Sequence, residues 1–597
     1  MTKLLDLVQS AVKHAFTAAG YDEKYGMAGV SNRPDLCQYQ SNGAMAAVKE
    51  YHKAPLVIAE DVVAKLTEDS DASQMFEKAC AVKPGFINLT LKDSFLAEYA
   101  GKMAESPDLG FDKANEPRNI VLDYGGANVA KPLHVGHLRS AIIGESLKRM
   151  ERFAGNKVTG DVHLGDWGLQ MGLIIAELED RGALDSEFGI SELEEIYPSA
   201  SKKVKETYED GPKKGELVNP EFAERAHAAT LKLQNGDPDY RRVWERIMKV
   251  SVEDLKKNYA NLLVDFDLWK GESDAEPYIE ELVKILKDKG LAHISEGALV
   301  VDVSEDTDPK EIPPCMIQKS DGAGLYATFD LGTIMDREKN LHPDAYIYIA
   351  DKRQSLHYTQ FFRVARKAGL VKPDTTLKFI GFGTMNGKDG KPFKTREGGV
   401  MRLETLIKDI TDEVAARMTD RDMPEDTKRE VARKVGLAAL KYGDLSNQAS
   451  KDYVFDLDRF SSFEGNTGPY IQYTVVRIRS ILDKYATEIG KTREEAVKSL
   501  ESAELLPAAT DSERNMELTI DRFSDMMSNA ITELAPHKIC AYIYELANSF
   551  SSFYHDNYIL TEKDEERKKS WLKLSALTEQ VLVTCLDLLG IEAPERM

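Results

Sequence analysis

Leu5, Val8, Val12 and Phe16 recur at spacings of three and four, so the chain opens with an amphipathic helix. Leu56 to Leu66 repeats that period. Val82-Lys83-Pro84-Gly85 reads as a turn, and the residues up to Leu91 as an alternating strand. Together these predict a small α+β module over residues 1–112. Beyond it the pattern changes. Short apolar runs at Ile120–Leu122, Lys157–Val162, Ala345–Ile349 and Leu377–Ile380 alternate with helical stretches. That alternation predicts an α/β domain over 113–400, with a parallel sheet covered by helices on both faces. Ligands of such sheets bind past the carboxyl ends of the strands. Between 175 and 310, Ile190 to Tyr208 and Pro220 to Tyr259 are long, charged and helical, and Gly297 to Val303 reads as a strand. This stretch is expected to be an insertion that spaces and shields the site. From 401 the chain is nearly all helical: a connecting region over 401–455, then a bundle over 456–597. There Ile471, Val475, Ile478 and Leu482 form one apolar stripe, and Trp571 to Leu589 should pack inside.

Composition narrows the class. A length of 597 residues calls for several domains, and 42% hydrophobic with 30% charged residues describes an ordinary globular protein. No apolar run approaches the ~20 residues that span a membrane, so no membrane partner is expected. The start, Met1-Thr2-Lys3-Leu4-Leu5-Asp6, lacks a secretory pattern. Cys37, Cys80, Cys315, Cys540 and Cys585 lie far apart and form no CxxC pair, so no metal-binding site is expected. A cytoplasmic location with reduced thiols follows. The formal charge of −22 argues against binding nucleic acid by bulk attraction. Phosphates nevertheless sense charge within a Debye length of ~8 Å. Local basic clusters therefore still matter: Arg363, Arg366 and Lys367; Lys388, Lys391, Lys394 and Arg396; Arg477 and Arg479.

The most informative run is Asn128-Val129-Ala130-Lys131-Pro132-Leu133-His134-Val135-Gly136-His137-Leu138-Arg139-Ser140. It follows an apolar strand and opens a helix. A helix N-terminus offers free N–H groups and partial positive charge, which suits a nucleoside triphosphate. Gly136 permits close approach of a base or phosphate, and the imidazoles of His134 and His137 can donate hydrogen bonds to phosphate oxygens. Further runs stand out: His163-Leu164-Gly165-Asp166-Trp167-Gly168, Gly324-Leu325-Tyr326-Ala327-Thr328-Phe329-Asp330, Tyr348-Ile349-Ala350-Asp351-Lys352-Arg353-Gln354, Gly390-Lys391-Pro392-Phe393-Lys394-Thr395-Arg396, Gly468-Pro469-Tyr470-Ile471-Gln472-Tyr473, and the ending Pro594-Glu595-Arg596-Met597.

These runs resemble, nearly end to end, the arginyl-tRNA synthetases, class I aminoacyl-tRNA synthetases marked by a HIGH motif, here His134-Val135-Gly136-His137. The resemblance implies a Rossmann-type catalytic domain with an insertion, an added N-terminal α+β domain that grips tRNA, and an all-α anticodon-binding bundle. It implies formation of arginyl-adenylate from arginine and ATP, with Mg²⁺ on the phosphates, then transfer to tRNA(Arg). Activation by this family requires bound tRNA, and its members are usually monomers.

Residue roles follow from the same resemblance. His134, Gly136 and His137 would bind ATP, with both histidines stabilising the reacting phosphate. The family's KMSKS motif is degenerate: Pro392-Phe393-Lys394-Thr395-Arg396 carries lysine at neither usual lysine position. Lys131, Lys391, Lys394 or Arg396 would then supply the missing charge, with Lys131 favoured for its place just before the motif. Asn128 and His134 would bind the α-amino and carboxylate groups of arginine, and Tyr326, Asp330 and Gln354 would form its pocket. Asp330 suits a guanidinium, which is always charged. Tyr470, Tyr473 and Arg477 share one helical face and would contact tRNA bases. The chain departs from the family pattern at Gly126-Ala127, where many relatives have Ser-Pro or Ala-Pro, and at Phe329, where many carry arginine. A cysteinyl-type enzyme of the same fold is the nearest alternative, disfavoured by the lack of a zinc-ligand cluster. A non-catalytic RNA-binding relative is the other, disfavoured by the intact histidines.

Overall fold

A computed structural model describes residues 1–204, 219–320, 322–391, 401–418 and 423–597. It divides into two compact units. One comprises Ala114–Arg459 with Leu589–Ile591; the other comprises Met1–Lys113, Phe460–Leu588 and Glu592–Met597.

The first unit is built on four parallel strands. Strand β1 is Asn119–Asp123, and helix α1, Val135–Phe153, carries the chain to β2, Lys157–Asp161. Much later β3, Ala345–Asp351, pairs with the other edge of β1, and β4, Thr376–Phe382, pairs with β3. The order is therefore β4-β3-β1-β2. Chain direction across the sheet reverses at β1, so loops leaving β1 and β3 diverge and open a crevice at their carboxyl ends. Both central strands are buried apolar runs, as a doubly covered parallel sheet demands.

The 175–310 stretch does more than the spacing and shielding expected of it. Leu282, Leu286, Leu299 and Val301 join one apolar cluster with Val121 of β1 and Tyr346 and Tyr348 of β3. Leu268 and Gly271 bridge to Asp161 and Leu164 in parallel register, extending the sheet beside β2. The helical stretch expected over Pro220 to Tyr259 is made of two helices, Pro220–Gln234 and Pro238–Asn261. Gly236 takes φ +84° between them, and Asp237 caps the second by accepting from the N–H groups of Asp239 and Tyr240. The 401–455 region also contains one short strand, Tyr453–Val454, which pairs with Met385–Asn386 beyond β4.

A buried charge cluster ties the sheet together. Arg337, on helix Tyr326–Asn340, donates to Asp123 at 2.6 Å and Asp161 at 2.7 Å, at the ends of β1 and β2. These charges satisfy one another where water cannot.

In the second unit an antiparallel sheet runs Ala28–Val30, Tyr39–Ser41, Phe86–Leu91, Phe76–Val82. It packs with helices that include Leu4–Ala18 and Pro55–Glu68. The helical part contains Gly468–Glu488, whose Ile471, Val475, Ile478 and Leu482 are all fully buried. Arg514 pairs with Asp93 at 2.5 Å, joining the helix Asp511–Asp521 to Asp93–Glu105. The terminal segment is anchored too: Arg479 donates to Glu595 and to the Pro594 carbonyl, both at 2.9 Å.

Removing the Arg337 guanidinium strands two buried carboxylates. Arg337→Ala is expected to destabilise the sheet unit by about 3–5 kcal/mol, read from its urea transition. A loss below about 1 kcal/mol would show that Arg337 does not hold the strand ends.

Candidate active site

Helix α1 begins at the carboxyl end of β1, and its first turn is capped by imidazoles. His134 is the N-cap; its Nδ1 accepts from the Gly136 N–H at 3.0 Å. His137 Nδ1 accepts in return from the His134 N–H at 3.2 Å. This reciprocal cap does with two histidines what a Ser/Glu box does elsewhere. It also sets the tautomers: with both Nδ1 atoms accepting, each neutral ring carries its proton on Nε2. The ring centroids lie 3.9 Å apart. Burial lowers both histidine pKa values, and the Lys131 charge adds to the effect. His137, also repelled by His134, falls to about 3. Two neutral donors therefore stand at a helix N-terminus.

Gly136 earns its place differently from the sequence expectation. A Cβ there would meet the His134 ring at 2.7 Å, so glycine makes room for the cap itself.

The imidazoles line a cleft of about 450 Å³ with Gly125, Gly126, Arg139, Asp351, Arg353, Gln354 and the Phe382–Met385 segment after β4. It lies where β1 and β3 diverge. Its floor is fixed by Arg139, buried, which donates to Asp444 at 2.9 Å, to the Gly383 carbonyl at 2.7 Å and to the Lys451 carbonyl at 3.0 Å. One guanidinium thus joins α1, the segment after β4 and helix Glu425–Leu445. On another side, Met401–Leu403 pairs with Leu133–Val135 through bonds of 3.0 Å.

A second, acidic group of residues forms around helix Tyr326–Asn340. Tyr326 is exposed at its first turn, and Asp330 follows one turn on. Asp330 Oδ2 contacts His357 Nε2 at 2.6 Å. Glu272, at the start of helix Glu272–Asp288, lies close enough for its charge to act on Tyr326 and to be acted on by Asp330 and Asp166. Its pKa is raised to about 7, first by burial and then by Asp166 and Asp330, against the opposing effect of His163. Asn128 is exposed and lies over Gly165, where a Cβ would meet its Oδ1 at 2.1 Å; this is why glycine opens the Gly165-Asp166-Trp167-Gly168 run.

The sequence-derived residues thus distribute in several places. His134, Gly136, His137 and Gln354 share the cleft lining. Gln354, expected in the pocket with Tyr326 and Asp330, lines the imidazole cleft. Lys131 lies outside the lining, its ammonium 4.3 Å from the centre of the Tyr197 ring. Lys391 is exposed in a turn closed by its carbonyl accepting from the Gly387 N–H at 2.8 Å. Lys394 and Arg396 fall outside the described residues. In the other unit, Tyr470 donates to Asn548 Oδ1 at 2.9 Å, Arg477 stacks on Tyr554 at 4.4 Å, and Tyr473 is exposed. Several cations of the basic clusters serve internal bonds: Arg363 grips Asp308, Arg366 binds the Lys372 carbonyl, and Arg479 pairs with Glu579.

Residues 104–457 match the family described as tRNA synthetases class I (R), catalytic domain. Residues 471–597 match the DALR anticodon binding domain, and 2–91 the arginyl tRNA synthetase N terminal domain. Curated arginine–tRNA ligases of Agathobacter rectalis and Alkaliphilus oremlandii are 54% and 51% identical, with both chains covered in full. The chain belongs to the arginyl-tRNA synthetases. Solved arginyl-tRNA synthetases share the fold: that of Plasmodium falciparum has a TM-score of 0.79 at 24% identity, covering 99% of each chain. That of Thermus thermophilus has 0.72 at 22%, covering each in full.

Within this family fold, the sequence reading missed Glu272 and Arg139. Glu272 sits in the stretch taken as a spacer, and only its place after Gly271 at a helix start hinted at function. Arg139 stood in the quoted motif, but its partner Asp444 is 305 residues away.

The cap makes a direct prediction. In ¹⁵N-histidine spectra, His137 should keep the neutral Nε2–H tautomer from pH 8 down to about pH 4. Titration near its ordinary value of about 6.5 would contradict the capped geometry.

Proposed function

We propose that the chain joins L-arginine to tRNA(Arg) by way of arginyl-adenylate, with the imidazole cleft holding ATP and the acidic pocket holding arginine. The observation that carries this reading is the pair of neutral, pre-set Nε2–H donors at the N-terminus of α1. An α-carboxylate oxygen of arginine attacks the α-phosphorus, the bond to the β-phosphate oxygen breaks, and pyrophosphate leaves. Charge grows on the phosphate oxygens, and donors fixed beforehand stabilise it without reorganising. Neutral rings donate without giving up a proton, so the step needs no acid. Mg²⁺ would enter with ATP as part of the substrate and would offset charge on its phosphates.

Asp330 and Glu272 are the guanidinium partners, and Tyr326 covers the side chain. Asn128 and His134 bind the α-amino and carboxylate groups, and Gln354 contributes from the cleft side. Lys131 supplies charge to the leaving pyrophosphate, with Lys391, Lys394 and Arg396 as further sources. In the second step the 2′-hydroxyl of the terminal adenosine takes the arginyl group and AMP leaves. Tyr473 is the exposed aromatic ready to stack on an unpaired base, worth about 1–3 kcal/mol. Tyr470 and Arg477 shape the face around it. No described helix is long and apolar enough to cross a membrane. A cytoplasmic monomer fits this reading.

Charging of tRNA(Arg) with labelled arginine tests both halves. Wild-type protein should charge the RNA, and Asp330→Asn should raise the arginine KM roughly 30-fold or more while leaving the ATP KM within twofold. Glu272 binds guanidinium only when ionised. With its pKa near 7, arginine affinity should rise roughly tenfold from pH 6 to pH 8. Glu272→Gln should flatten that slope. Uncharged RNA, or equal small losses for both substrates, would overturn the assignment.

A further inference from the structure

Helix Ile190–Val204 belongs to the inserted stretch, and two residues three apart on its surface reach toward the active site. Glu194 pairs with Arg402 at 2.7 Å. Arg402 in turn lies in the strip Met401–Leu403 that pairs with Leu133–Val135. Tyr197 holds the Lys131 ammonium over its ring at 4.3 Å. Tyr197 is itself half-buried against Leu173, Ala176, Ala200, Phe222 and Ala226, so its ring has a fixed seat. A lysine is a point charge on a flexible four-carbon stem. Left in solvent, it samples many positions; over an aromatic face it has one preferred position.

We infer that Tyr197 is a positioning residue for amino-acid activation: its ring fixes Lys131 beside the imidazole cap, while Glu194 on the same helix fixes the strip paired with that cap. The inference rests on the assignment of Lys131 to the pyrophosphate. Two further observations agree. The Lys131 charge acts on both His134 and His137, so the held ammonium is near the reacting phosphates' site. The Tyr197 phenol also acts on Tyr326, so the two rings lie near one another. The inserted helix is thereby part of the activation machinery.

The test uses full-length protein with tRNA(Arg), following arginine-dependent exchange of pyrophosphate into ATP. Tyr197→Leu keeps an apolar group in the seat but removes the ring face. It should lower kcat roughly 3- to 30-fold, the span of a cation–π contact, with the arginine KM unchanged. Tyr197→Phe restores the ring and should recover most of the rate. Lys131→Ala/Tyr197→Leu should be no slower than Lys131→Ala alone, because the two act through one contact. A Tyr197→Leu protein as fast as wild type overturns the inference. So does a Phe variant as slow as the Leu variant, or losses that add in the double variant. A near-normal Lys131→Ala protein removes the underlying assignment, and this inference with it. A slow Lys131→Ala beside a normal Tyr197→Leu removes only the inference. If Tyr197→Leu shows a lowered thermal midpoint, Tyr197→Met is read in its place.

Discussion

Everything at the cleft depends on where the sheet reverses direction. Because β2 and β3 flank β1 on opposite sides, the loops after β1 and β3 must part and leave a gap between them. Helix α1 starts at that gap, so its unpaired N–H groups would be left facing solvent. Two histidines satisfy part of that need, and doing so fixes their chemistry. Each spends Nδ1 on the backbone and keeps Nε2–H for a ligand. Burial and the nearby lysine hold both rings neutral. The cap, the tautomer and the charge state are one arrangement seen three ways.

Charge is placed with the same economy elsewhere. The formal charge of −22 gave little sign of a polyanion partner, and the structure shows why counting is a poor guide. Arg337, Arg363 and Arg479 are bound to carboxylates, and Arg139 spans three segments from a buried position. These cations hold the frame. The groups we propose for ligands are set by burial: neutral imidazoles at the start of α1, and a half-buried Asp330 with a Glu272 whose proton affinity is raised.

Local order was legible in the chain. The described runs that alternate or repeat at helical spacing are strands or helices, because burial on one face or two writes a short-range period into the residues. The run Lys157–Val162 ends one residue early, at Asp161, whose carboxylate is needed by Arg337. The stripe from Ile471 to Leu482 is wholly buried. The histidine motif was legible because strand, cap and helix are consecutive. What could not be read depends on residues brought together across long loops. Glu272 comes within reach of the Asp330 charge because the inserted chain runs back along β2. Arg139 meets Asp444 through tertiary packing alone. Gln354, expected in the arginine pocket, stands just past the end of β3, where the crevice opens.

The most direct test of this account is a crystal structure of the protein with arginine, Mg²⁺ and a non-hydrolysable ATP analogue. The account predicts α-phosphate oxygens within about 3.2 Å of the Nε2 atoms of His134 and His137, with both Nδ1 atoms still bonded to backbone N–H groups. A triphosphate seated away from the start of α1, or rings turned so that Nδ1 faces the phosphate, would contradict it.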